Sequence, residues 1–202
     1  MSDPRPYAAL LAKGEDRKQR IMVVAQRLLT QNGWQSTTLG QIARGAGIST
    51  AGLLHHFESK EQLLHAVLDA RDSYDELNAD LSADVPAQIE RVAERFRRTP
   101  DFVGMFVFLL IENLDPDAPL RDRLLVRYRG ALDFIADLVR QGQRAGRYRA
   151  DFDPRVKAVE IVAFLNGMET SWMLDSSIPL TEVFKEYSRS LARQIAVPSK
   201  TP

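Results

Sequence analysis

Apolar residues recur along this chain at helical spacing from one end to the other. From Glu15 to Asn32, Ile21, Val24, Ala25, Leu28 and Leu29 form one stripe on an otherwise charged segment, and Gly33 ends it. Trp34 follows and reads as a core aromatic. Two short helices are expected next, Thr38 to Gly45 and Ser49 to His56, the second with Ile48, Leu53 and Phe57 inward. After Ser59 a long helix runs through Leu63, Leu64, Val67 and Leu68, then turns acidic and polar to about Ser82. Pro86 opens a helix with Ile89, Val92, Ala93 and Phe96 inward, and Pro100 breaks it. Asp101 to Asn113 is apolar nearly all round, as a fully surrounded helix would be. Pro119 and Gly146 bracket a further helix of about 27 residues. Asp153 then caps, and Pro154 starts, a helix to about Leu174, and the last runs from Leu180 to about Ala196. The pattern predicts an all-α fold of about nine helices, without repeats or coiled-coil heptads.

The stretch Thr38 to Leu63 concentrates helix-start chemistry. Thr38 with Gln41 has the spacing of a capping box, Ser59 with Gln62 repeats it, and Ser49 is a further N-cap. Ala43 is small enough for two helices to approach. Gly47 suits the left-handed residue that ends a helix. These are the requirements of a helix-turn-helix, though any tight helical hairpin shares them. The flanks add Thr37, Thr38, Ile42, Ala43, Ala46, Gly47, Ile48, Ser49, Leu53, His56, Phe57, Ser59, Lys60, Glu61 and Leu63. Over about 45 residues this resembles the tetracycline-repressor (TetR) family of bacterial transcription regulators. The segment Gly142 to Pro154 likewise resembles the connection before the penultimate helix in many members.

Composition narrows the alternatives. The 202 residues have no net charge, but residues 1–60 hold eight Lys and Arg against four Asp and Glu, while the remainder is acidic. A basic front on an acidic body suits a phosphate-rich partner. There is no cysteine, which removes disulfides, thiolate metal sites and cysteine nucleophiles and suits a cytoplasmic location. The longest apolar run, Phe102 to Ile111, is too short for a membrane span of about 20 residues. All three histidines, at 55, 56 and 65, lie in or beside the helix-turn-helix, and no nucleophile–base spacing or phosphate loop is present, so no catalytic site and no cofactor are expected. His55 and His56 are neighbours and point about 100° apart on a helix, which disfavours a shared metal ion.

The resemblance implies domains and residue roles. Residues 1–14 are expected to be a flexible tail, either solvated or an arm for a DNA backbone. Residues 15–62 would be the DNA-binding head, 63–197 a helical ligand-binding and dimerisation domain, and 198–202 a tail. Thr50, Ala51, Gly52, Leu54 and His55 would meet base edges of a double-stranded operator, and Thr38, His56 and Lys60 its phosphates. Leu54 departs from the family's usual tyrosine and Gly52 from a common hydroxyl residue. A small apolar or amphipathic effector would be lined by Met105, Phe106, Phe108, Leu109, Tyr128, Met168 and Trp172, with Glu112, Asn113 or Glu169 as polar anchors. A homodimer would pair through Val159, Ala163, Gly167, Phe184, Tyr187 and Leu191. The function implied is a ligand-released repressor. Two alternatives remain open: a DNA-binding regulator or activator without an effector, and a small-molecule-binding protein with a vestigial head.

Overall fold

The computed structural model describes residues 5–77, 84–98 and 100–198. Nine α-helices follow in order among them: α1 Arg5–Ser36, α2 Leu39–Gly45, α3 Thr50–Leu54, α4 Lys60–Leu77, α5 Val85–Arg98, α6 Pro100–Glu112, α7 Arg121–Arg144, α8 Pro154–Leu174 and α9 Leu180–Ile195. They fall into two compact units, Met1–Asn78 and Ala79–Pro202. Part of the polar run expected beyond Leu77, and tail residues 1–4 and 199–202, lie outside the described residues.

In the first unit α1 packs on α4 and α2, and α2 on α3. The boundary expected between residues 62 and 63 falls in the first turn of α4, whereas the first compact unit keeps the whole of α4 and runs to Asn78. Helix begins at Arg5, whereas a tail was expected through residue 14. Pro6 does not prevent this, because a proline in the first turn removes an N–H that has no partner within the helix. Gly33, at φ 73° and ψ 176°, breaks α1 just where the hydrophobic stripe ends. The break leaves carbonyls without their usual partners, and Thr37 supplies one from within the core. Its buried hydroxyl donates to the carbonyls of Gly33 at 2.7 Å and Leu28 at 3.2 Å.

In the second unit α7 packs on α8, α5 on α9 and α6 on α8. Phe96, Val103, Val139, Ile161, Phe184, Leu191 and Ile195 form the centre of its core, with Phe96 and Phe164 meeting Phe184 edge to face. Gly142 touches the flat of Tyr148 so closely that an added Cβ would lie 2.1 Å from two ring carbons. That ring's hydroxyl accepts from the Val85 amide at 3.0 Å, fixing the start of α5. Gly146, at φ 69°, ends α7, and Asp153 caps α8 ahead of Pro154, as the sequence predicts.

Candidate nucleic-acid interface

The turn between α2 and α3 is set by contacts within a few residues. The Thr38 hydroxyl accepts from the Gln41 amide, and the Gln41 side chain accepts from the Thr38 amide, closing the expected capping box. Gly47 takes φ 69°, which lets the Ile48 amide donate back to the Ala43 carbonyl at 3.0 Å. Ser49 accepts from the Gly52 amide at 3.0 Å and starts α3. The close approach of α1 and α2 rests on Gly45, whose Cβ would fall 2.6 Å from the Val24 Cγ1. Ala43, expected to let the two short helices approach, is buried as well.

Helix α3 is anchored through Leu53, which is fully buried, and Phe57 just beyond it, while Ile48 is only half-buried. Thr50, Ala51, Leu54 and His55 are exposed and Gly52 half-buried. Leu54 is 42% exposed, so it does not turn inward. The five expected base-edge residues therefore lie between Thr50 and His55 on either side of the buried Leu53, four exposed and Gly52 half-buried, presented by a scaffold locked at both ends.

Cationic side chains gather around its end. Partial burial and then the positive charge of His55, Arg17 and Lys18 hold the His56 imidazole below its ordinary pKa. Arg17 and Lys18 of α1 thus lie near the end of α3. Lys18 also reaches over the Phe57 ring at 5.8 Å, and the His55 and His56 rings meet edge to face at 5.7 Å. Thr38 is exposed, with its hydroxyl used in the cap.

Lys60 is placed where no local pattern foretold. Its ammonium lies 4.0 Å above the Trp34 ring and donates to the Trp34 carbonyl, a residue 26 positions earlier. Trp34 is buried, as expected, but it also serves as the seat of this cation. At the start of α4 the Ser59 hydroxyl accepts from the Gln62 amide. The Gln62 side chain accepts from Glu58 and not from Ser59, so the second capping box is displaced by one residue.

In the second unit, the residues expected around an effector divide. Met105 and Leu109 are fully buried, Phe106, Glu112, Tyr128, Met168 and Trp172 are half-buried, and Phe108 turns outward at 39% exposure. Phe108 is therefore corrected from a cavity wall to a surface residue. Asn113 is corrected as well. It is buried, donates to the Leu109 carbonyl at 2.8 Å and accepts from the Leu120 amide at 3.2 Å, so its amide holds the α6–α7 turn. Glu169 is buried on α8. An open groove of about 630 Å³ lies instead along α5 and α9, between Pro86, Glu90 and Glu94 on one side and Ser188, Arg189 and Ala192 on the other.

The expected dimer residues divide in the same way. Val159, Ala163 and Gly167 are exposed on α8, with Val156 one turn before them. Phe184 and Leu191 are buried in the core against α5, and Tyr187 stacks on Phe164 at 3.6 Å. Phe184 and Leu191 are therefore corrected from interface to core, while Tyr187 is half-buried and packs against that core. The outer face of α9 carries Glu182, Lys185, Glu186, Arg189 and Arg193. Among the described residues, no three His, Asp or Glu side chains come together to hold a metal ion. No described helix is long and apolar enough to cross a membrane.

Comparison with known proteins agrees with this geometry. Residues 21–67 match the family described as bacterial regulatory proteins, tetR family, and residues 87–187 the tetracyclin repressor-like C-terminal domain. The uncharacterized HTH-type transcriptional regulator YerO of Bacillus subtilis is 26% identical over 76% of this chain and 56% of its own length. The chain thus spans little more than half of that relative. A TetR transcriptional regulator of Chloroflexus aurantiacus superposes with a TM-score of 0.77 at 25% identity, covering 93% of this chain and all of that one. NalD of Pseudomonas aeruginosa, with 16% identity over 94% of this chain and all of its own, shares the fold at a TM-score of 0.71.

Proposed function

Because the chain belongs to the tetR family of bacterial regulatory proteins, helix-turn-helix transcription regulators, we propose that it is a homodimeric repressor of a pseudo-palindromic DNA operator, released by a small effector. The observation that carries this reading is α3. A five-residue helix anchored by Leu53 leaves Thr50, Ala51, Leu54 and His55 to solvent, beside the cations of α1. A hydroxyl, a methyl, an isobutyl group and an imidazole can read the acceptors and thymine methyls of a major groove. Gly52 lets backbone approach the bases, and Thr38, His56 and Lys60 hold phosphates.

Two copies pair through α8. Val156, Val159, Ala163 and Gly167 follow one face at helical spacing and end near Leu174, which is 89% exposed. Small residues let the same helix of a second copy approach closely, and a two-fold axis uses the patch twice. The two heads would then meet successive turns of DNA. NalD is described as the secondary repressor of a multidrug efflux pump, and repression is carried over to this chain as part of the proposal; release by a ligand is what the family resemblance implies. An apolar or amphipathic molecule enters among α6, α7 and α8, where Phe106, Tyr128, Met168 and Trp172 are half-buried and Glu169 offers a polar anchor. An effector that prefers the released state by about 100-fold supplies roughly 2.7 kcal/mol of coupling, and DNA must weaken its binding by the same factor.

Footprinting on DNA upstream of the protein's own gene tests the reading. A protected pseudo-palindrome is expected, with His55→Ala relaxing preference at one base pair and leaving the rest of the site unchanged. Binding that ignores sequence would refute base readout by α3.

A further inference from the structure

We infer that Trp34 is a positioning residue for DNA binding, acting through Lys60. The inference rests on the reading of Lys60 as a phosphate contact and adds what holds it ready. Lys60 is the first residue of α4, where the partial positive charge of a helix N-terminus disfavours a cation. A free lysine there would point into water and sample many rotamers. Here the ammonium is held from two directions, by the Trp34 carbonyl and by the face of the Trp34 ring at 4.0 Å. Both features come from one residue just past the break at Gly33, and both are negative in potential toward the cation.

The seat itself is rigid. Trp34 is 7% exposed, and its carbonyl also accepts from the Thr37 amide at 3.4 Å, while the Thr37 hydroxyl ties down the turn. The ammonium has three N–H donors, so one cation serves the carbonyl and a phosphate oxygen together. Lysine loses more rotamer freedom on ordering than almost any side chain. Trp34 imposes that order before DNA arrives, so the loss does not fall on the binding step. The aromatic at position 34 is therefore more than core filling.

A double-mutant cycle on the full chain tests this, with a mixed-sequence duplex of about 40 base pairs at low salt as the probe, because a phosphate contact acts on any sequence. Lys60→Met should weaken binding and flatten the salt slope by about one unit. Trp34→Phe should weaken binding about three- to five-fold when Lys60 is present and by less than about 1.5-fold in the Lys60→Met background. Equal penalties in both backgrounds would overturn the role of Trp34 and leave the phosphate contact standing. No change in affinity or slope with Lys60→Met would overturn the phosphate contact and this inference with it. A second measurement keeps Trp34 intact. In a Trp172→Phe protein the remaining emission comes from Trp34 alone, and Lys60→Met should shift it by removing the cation above the ring. An unchanged spectrum would also overturn the inference.

Discussion

Gly142→Ala, compared with Gly130→Ala in the same helix, isolates what the close contact between α7 and Tyr148 contributes. Both glycines sit within α7, so both substitutions gain about 1 kcal/mol of helix propensity. Nothing lies within 4 Å of a Cβ at Gly130, whereas at Gly142 it would meet two ring carbons of Tyr148 at 2.1 Å. Carbon atoms rest about 3.5–4.0 Å apart, so the ring must move by about 1.5 Å or more. Tyr148 is 7% exposed and has little room, and overpacking of this kind costs about 1–3 kcal/mol. Displacing the ring also takes its hydroxyl from the buried Val85 amide, worth about 1–3 kcal/mol when left unpaired. After the propensity gain, Gly142→Ala should lose about 3 kcal/mol and Gly130→Ala gain about 1 kcal/mol. At about 2–4 °C per kcal/mol for a chain of this size, the shifts are a fall of roughly 6–12 °C and a rise of roughly 2–4 °C. Trp172 emission in a Trp34→Phe background follows the second unit alone. Melting points that move in the same direction would refute the packing argument.

Further predictions concern the seam, the buried hydroxyls and pH. Val159→Glu should give a folded monomer by equilibrium sedimentation, whereas Phe184→Asp should unfold the second unit because its ring is buried; a folded Phe184→Asp monomer would place α9 in the seam after all. Thr37→Val should cost the first unit about 1–3 kcal/mol in denaturant unfolding, since the carbonyls of Gly33 and Leu28 lose their shared donor. Among the described residues the buried hydroxyl of Tyr187 has no hydrogen-bond partner, and burial followed by the charge of Glu160 pushes its pKa up to about 12. Its titration leaves stability unchanged below about pH 10 and lowers it as pH rises toward 12, so Tyr187→Phe should be neutral or stabilising at pH 7 and protect against alkaline unfolding. His56 has a lowered pKa, so the unfolded chain binds its proton first and stability falls as pH drops below about 6.5. Duplex binding should move the other way, tightening over the same window, and His56→Gln should remove both effects.

What could be read from the sequence was whatever lies within a few residues along the chain. The Thr38–Gln41 box, the Ser49 cap, the positive φ of Gly47 and the Asp153–Pro154 start depend on neighbours up to about four positions away, so residue type and spacing suffice to specify them. The same locality makes the outer face of α3 legible, because a short helix with one buried leucine leaves its other sides to solvent. The sequence could not say which surface an apolar stripe meets. Val159 and Phe184 lie on equally helical patterns, yet α9 turns its aromatic face onto α5 while α8 leaves valines and small residues outside, since periodicity fixes a face and not its partner. Contacts between distant residues were equally hidden. Gly45 against Val24 and Lys60 on Trp34 arise where the folded chain brings separate segments together, and a glycine or a lysine looks the same in sequence whether its neighbour is water or a ring.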